Sequence, residues 1–243
     1  MKFQGVIVEQ RPPIVNLIAS LNVVATNFGI TGVTDILRRM FGSITIFGIV
    51  VLVVSILISL TIHEFMHAFV GYKLGDDTAR SQGRLSFNPL AHIDPIMTVA
   101  LPIITILVLH APILAAKPVP FDPRNVKYNE YGAAMIAAAG PLSNLALAII
   151  AALVSNIAPA GSTTQVVLNT FTQLNVALFV FNMIPIPPLD GSRVLYAFAP
   201  EPIQDFMRSI EPYGLVIVLG LVFLGGFGGF IGNLNQMVLN LLP

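Results

Sequence analysis

The 243-residue chain contains no cysteine, which excludes disulfide and thiol chemistry alike. Charge is also scarce: 10% of residues are Asp, Glu, Lys or Arg, against about 25% in soluble domains. The 12 basic and 12 acidic residues cancel, so neither nucleic-acid binding nor a polybasic membrane switch is indicated. There is no internal repeat, no alternating-strand pattern of a membrane barrel, and no long polar insert that could form an appended soluble domain. The N-terminus, MKFQGVIVEQRPP, lacks an apolar core followed by a small-residue cleavage site and does not read as a signal peptide.

What remains is apolar. Hydrophobic residues make up 55% of the chain and the mean hydropathy is +0.83. Five segments, 44 to 72, 96 to 116, 133 to 158, 166 to 187 and 213 to 232, approach the roughly 20 residues that a helix needs to cross a bilayer. A sixth, 14 to 33, carries Asn16, Ser20, Asn22, Thr26 and Asn27, and fits a span, an interfacial helix or a helix packed on the bundle. The expected fold is an all-α integral membrane bundle of about 5 to 6 transmembrane segments. Residues 1 to 40 form an N-terminal segment, and 41 to 243 the membrane-embedded domain.

Basic residues orient the bundle, because short cytoplasmic loops are enriched in Lys and Arg. Lys73, Arg80 and Arg84 follow the first long segment; Lys117, Arg124 and Lys127 precede 133 to 158; Arg193 and Arg208 follow 166 to 187. The loop 159 to 165, PAGSTTQ, has none. Placing the basic loops inside leaves 96 to 116 entering and leaving on one face. Pro95, Pro102 and Pro112 interrupt that segment and suit a re-entrant hairpin, at the cost of Arg38 and Arg39 outside.

Chemistry enters in the first long segment. The 19 residues before His63 carry no charge, yet His63, Glu64 and His67 follow directly, in the sequence HEFMH. A charged or metal-binding side chain at membrane depth costs roughly 2.5 to 3.5 kcal/mol, so three in one turn call for a compensating function. Histidines at i and i+4 share a helix face and can hold one ion, and a Glu beside them can act on the attacking water of a zinc hydrolase. A tetrahedral catalytic zinc takes three protein ligands, so a third lies elsewhere. Asp190, in NMIPIPPLDGSR, is the candidate carboxylate at the end of another apolar segment. Pro185, Pro187 and Pro188 end the helix there, and Gly191 permits a turn. The deduced topology brings it and the histidines to the same half of the bilayer.

With HEFMH at 63 to 67, GRLSFNPLAHIDP at 83 to 95, KPVPFDPRN at 117 to 125, GPLSN at 140 to 144 and NMIPIPPLDGSR at 182 to 193, the chain resembles the site-2 protease family of intramembrane zinc metalloproteases in its minimal prokaryotic form. The resemblance runs from about 44 to 232. It implies one zinc ion bound by His63, His67 and Asp190, with Glu64 as catalytic base and Asn182 against substrate backbone. It also implies a multi-pass protein of a prokaryotic plasma membrane, surrounded by lipid, whose substrate is a membrane protein with a transmembrane helix. Ser192 departs from the family, which often has a second Gly there.

Other polar residues admit quieter readings. His92 and Asp94 fit a local hydrogen bond better than metal ligation, and His110 has no partner at metal spacing. Asn144 is a buried amide that needs partners, and either supports the active site or binds substrate. Gly140 and Pro141 imply a kink or a close helix approach. A metal transporter is the competing function, but the ionisable groups form a single cluster and the halves do not repeat. A catalytically dead scaffold is disfavoured by the intact Glu64.

The topology is testable directly. Single cysteines at Ser81 and Asn125 are expected to react with a membrane-impermeant thiol reagent from the same face, and labelling from opposite faces would overturn the hairpin.

Overall fold

The computed structural model describes residues 46 to 93, 119 to 223 and 227 to 243, and all regular structure among them is helical. Helix α1 spans Ile46–Lys73, α2 Thr78–Ser81, α3 Asn129–Ile157, α4 Thr163–Asn182, α5 Asp190–Phe198 and α6 Glu201–Ile210. Short 3-10 turns lie at Pro89–Ala91 and Glu211–Tyr213. The apolar segments 14 to 33 and 96 to 116, together with Arg38, Arg39, Asp94 and His110, lie outside the described residues.

Among the described residues α1, α3 and α4 are long and apolar enough to cross a membrane. The segment 213 to 232, expected as one span, is represented by two shorter helices, α7 Gly214–Phe223 and α8 Phe227–Leu241, on either side of residues 224 to 226. At 28 residues α1 is about 42 Å long, more than the hydrocarbon thickness of about 30 Å. Its burial is inverted relative to a helix of a soluble protein. Phe47, Val50, Val53, Val54 and Ile58 are exposed, whereas Ser55, Ser59, His63 and His67, one stripe at four-residue spacing, are buried. An apolar outside over a polar inside is what a lipid surround demands.

Helix α3 is the centre of the bundle and packs against α1, α4 and α5. Its inward face is made of small residues, among them Ala133, Ala137, Gly140, Ala148 and Ala152, while Leu142, Ile150 and Leu153 point outward. Small side chains allow helix backbones to approach closely where lipid provides no hydrophobic drive between helices. The helix runs through Pro141 without ending.

A polar clasp ties the end of α1 to the start of α3. Lys127 N donates to Leu74 O at 2.9 Å, and the buried Asp76 carboxylate accepts from Thr78 N, Thr78 Oγ1 and Asp122 N. The loops after α1 and before α3 therefore occupy one end of the bundle, as expected from their basic residues. Hydrogen bonds from the exposed Arg124 pull the Asp122 carboxyl down to about 2, so the pair stays ionised at neutral pH. Tyr128 (φ 68°) and Asn129 (φ 49°) take left-handed backbone as α3 begins, an unusual conformation for residues with a Cβ.

At the C-terminal end of α4, Ile184 and Leu189 pack with Val218 next to the proline-rich turn, and α5 starts at Asp190 itself. Gly191 serves this junction differently from the turn expected of it. It lies in α5, and a Cβ there would sit 2.3 Å from Met183 O. Proximity, not left-handed backbone, requires the glycine. Ser192 is buried and donates its Oγ hydrogen to Leu189 O at 2.7 Å, so the extra hydroxyl is accommodated locally.

Overpacking of this kind costs about 1 to 3 kcal/mol. Gly191→Ala is expected to lower the thermal midpoint of the detergent-solubilised protein. Gly220→Ala, where an added Cβ meets nothing within 4 Å, is expected to leave it unchanged or slightly higher. Equal midpoints for wild type and Gly191→Ala would refute the close approach.

Candidate metal centre

His63 and His67 are one turn apart on α1 and turn their Nε2 atoms toward each other at 3.0 Å. Asp190, at the first turn of α5, brings Oδ2 to 3.2 Å from His63 Nε2 and 3.4 Å from His67 Nε2. Both histidines are buried, at 4% and 7% exposure. A carboxylate in the first turn of a helix is also favoured by the positive end of the helix dipole.

These separations can be compared with what a cation demands. Ligands 2.0 to 2.2 Å from a tetrahedral zinc are separated from one another by about 3.3 Å, and the three contacts here bracket that value. The far side of each ring is tied. His67 Nδ1 lies 2.7 Å from Ile136 O, and a carbonyl only accepts, so Nδ1 carries the hydrogen and the neutral ring keeps its Nε2 lone pair for the centre. His63 Nδ1 is held at 2.6 Å by Asn144 Oδ1. Two lone pairs and a carboxylate oxygen converging in a buried place would repel without a cation, and hydrogen-bonded far nitrogens are the usual support of metal-binding histidines. The donor set fits zinc.

Helix α3 forms the wall over the rings. A Cβ at Gly140 would fall 2.3 Å from His67 Nε2 and 2.7 Å from His63 Cε1, so no side chain fits there. The close helix approach expected at Gly140 is what the geometry contains, and its partners are the histidine rings. Glu64 is buried at 7% exposure beside the two histidines and interacts electrostatically with His67, His63, Asp190 and His92.

The remaining candidates are placed as follows. Asn144 is fully buried, with contacts to His63, Ser59 and Asn175. Asn182 Nδ2 donates to Leu178 O, one turn back on α4, at 3.0 Å. His92 bonds through Nε2 to Ser86 O at 2.8 Å, the local hydrogen bond expected of it, and is not in the metal-competent group formed among the described residues by His63, His67 and Asp190. Asn175 was not singled out from the sequence. Its signal was an amide inside the apolar 166 to 187 segment, the same feature that drew attention to Asn144.

Three proteins described as "Putative zinc metalloprotease" are similar to this chain. YwhC of Bacillus subtilis is 35% identical over 189 residues, covering 74% of this chain and 83% of that protein. MJ0611 of Methanocaldococcus jannaschii is 33% identical over 152 residues (61% and 72%), and Rip2 of Mycolicibacterium smegmatis 28% identical over 183 residues (72% and 68%). The chain belongs to this zinc metalloprotease family. No family model matches it, and neither does any solved structure. In this metalloprotease the candidate ligands come from two helices far apart in the chain, α1 and α5, with α3 packed against both.

Purified wild-type protein is expected to contain about one zinc per chain, and His67→Ala and Asp190→Ala to lose it. Undiminished metal in either variant by elemental analysis would show that the ion, if bound, is held elsewhere.

Proposed function

We propose that the chain is an intramembrane zinc metalloprotease of the site-2 type, a multi-pass protein of a prokaryotic plasma membrane that hydrolyses peptide bonds in or near the transmembrane helices of other membrane proteins. The observation that carries this reading is the burial of His63, Glu64 and His67, with the half-buried Asp190 against both histidines, within a bundle whose helices are apolar on the outside. His63 is about ten residues, or roughly 15 Å, from the end of α1 that bears the basic loops. That depth supports a site inside the bilayer, nearer its cytoplasmic face.

His63 Nε2, His67 Nε2 and Asp190 Oδ2 would hold the zinc, which supplies Lewis-acid polarisation of the scissile carbonyl and lowers the pKa of the attacking water. The Glu64 carboxylate takes the proton from that water as it attacks, and then delivers it to the leaving amine nitrogen. Asp190 and the two rings are held from behind by α5, Ile136 O and Asn144, so the ligand geometry is set before substrate arrives. The exposed apolar face of α1 meets lipid and limits water around the site. A substrate helix keeps its carbonyls in i to i+4 bonds, so it must unwind locally before a peptide bond can reach Glu64, and Asn182 at the end of α4 is the candidate group for the unwound backbone.

Glu64→Gln is expected to lower cleavage of a transmembrane substrate by at least about 10²-fold while zinc content and thermal midpoint stay at wild-type values. Comparing the membrane proteomes of cells carrying the wild-type or the Glu64→Gln protein identifies the substrate as the protein that accumulates uncleaved. Near-normal cleavage by the variant would rule out the role given to Glu64.

A further inference from the structure

The two candidate zinc ligands on α1 are oriented in different ways. His67 is tied straight to a backbone carbonyl, Ile136 O, whose polarity cannot change. His63 is tied to Asn144, an amide that presents an acceptor or a donor according to which way it is turned. If Asn144 turned its NH2 toward His63, Nδ1 would have to be the bare nitrogen, and the hydrogen of the neutral ring would move to Nε2, the atom that faces Asp190. That tautomer cannot bind a metal through Nε2. Something must therefore hold Asn144 with its oxygen toward the histidine.

The hydrogen bonds on α4 do so. Asn175 Nδ2 donates to Phe171 O at 2.9 Å, and because a carbonyl only accepts, the orientation of the Asn175 amide is fixed. Its Oδ1 then faces Asn144 Nδ2 at 2.9 Å and accepts from it. The other hydrogen of Asn144 Nδ2 points to Ser59 O at 3.4 Å, a second carbonyl requiring the same orientation. Asn144 Oδ1 is left for His63 Nδ1–H at 2.6 Å. Both amides are fully buried, so water does not compete for these bonds. The direction of every bond in this relay follows from backbone carbonyls at its ends.

We propose that Asn175 is a positioning residue of the metal centre: acting through Asn144, it holds His63 in the tautomer and ring orientation that offers Nε2 to zinc. This rests on the reading of His63 as a zinc ligand. It goes beyond that reading by giving α4 a part in zinc affinity through a residue that touches neither the ligands nor the catalytic glutamate. Helix packing alone is the competing role for a buried amide pair, since such pairs also hold membrane helices together.

The test measures zinc affinity of the full-length, detergent-solubilised protein by competition with a chromophoric chelator, alongside the thermal midpoint of the metal-stripped protein. Asn175→Leu, close to Asn in size but unable to hydrogen bond, is expected to weaken zinc binding about tenfold, in the range seen when partners of metal ligands are removed. Asn175→Ala serves the same purpose if the leucine variant does not fold. In an Asn144→Asp background both side-chain oxygens accept, so no amide orientation needs fixing, and Asn175→Leu is expected to change zinc affinity less than twofold. Wild-type zinc affinity in Asn175→Leu, or an equal loss in both backgrounds, overturns the relay. Wild-type protein that binds no zinc, or zinc binding that survives His67→Ala, overturns the site reading on which the relay rests.

Discussion

Three electron-rich atoms, two imidazole nitrogens and a carboxylate oxygen, are held 3.0 to 3.4 Å apart in the interior of an apolar bundle, and much of the remaining architecture follows from that requirement. Neutral rings must have their far nitrogens bonded, or a buried donor is left unpaired at a cost of about 1 to 3 kcal/mol. The space over the rings must be empty of side chain, which Gly140 provides. The carboxylate must come from a separate helix, because α1 has already used its turn for the two histidines. The proline-rich end of α4 supplies it by ending one helix and starting another at Asp190.

The membrane makes these demands stricter and explains the choice of partners. In a water-filled cleft the histidines could exchange protein partners for solvent; inside α1, α3 and α4 the histidines and the amides are met by other parts of the chain. The inward stripe Ser55, Ser59, His63 and His67 and the amides Asn144 and Asn175 are thus one buried polar seam, with lipid-facing Val and Leu on the opposite surfaces. Helix α3 fits against this seam through alanine and glycine, which add no bulk and no unsatisfied polar atom.

Local spacing is what sequence displays best. His63 and His67 were legible because i and i+4 share a helix face wherever the helix lies, and Asp190 because prolines and an isolated carboxylate mark a helix end. The long helices at 46 to 73, 129 to 157 and 163 to 182 followed from hydropathy alone, within a few residues at each end. Long-range partners were harder to read. Gly191 looked like a turn glycine, since its neighbour Met183 O is brought close only by folding. Asn144 stood between supporting the site and touching substrate, because its partner His63 is 81 residues away, and Asn175 had no spacing to mark it at all. The four-residue stripe upstream of the histidines was present in the sequence but masked by its apolar surroundings.

The clasp between Leu74–Asp76 and Asp122–Lys127 fixes how α1 sits against α3 by bonds at the two ends of the intervening stretch. The two anchors thus latch one end of the helix pair whose close packing sets His63 and His67 against Gly140.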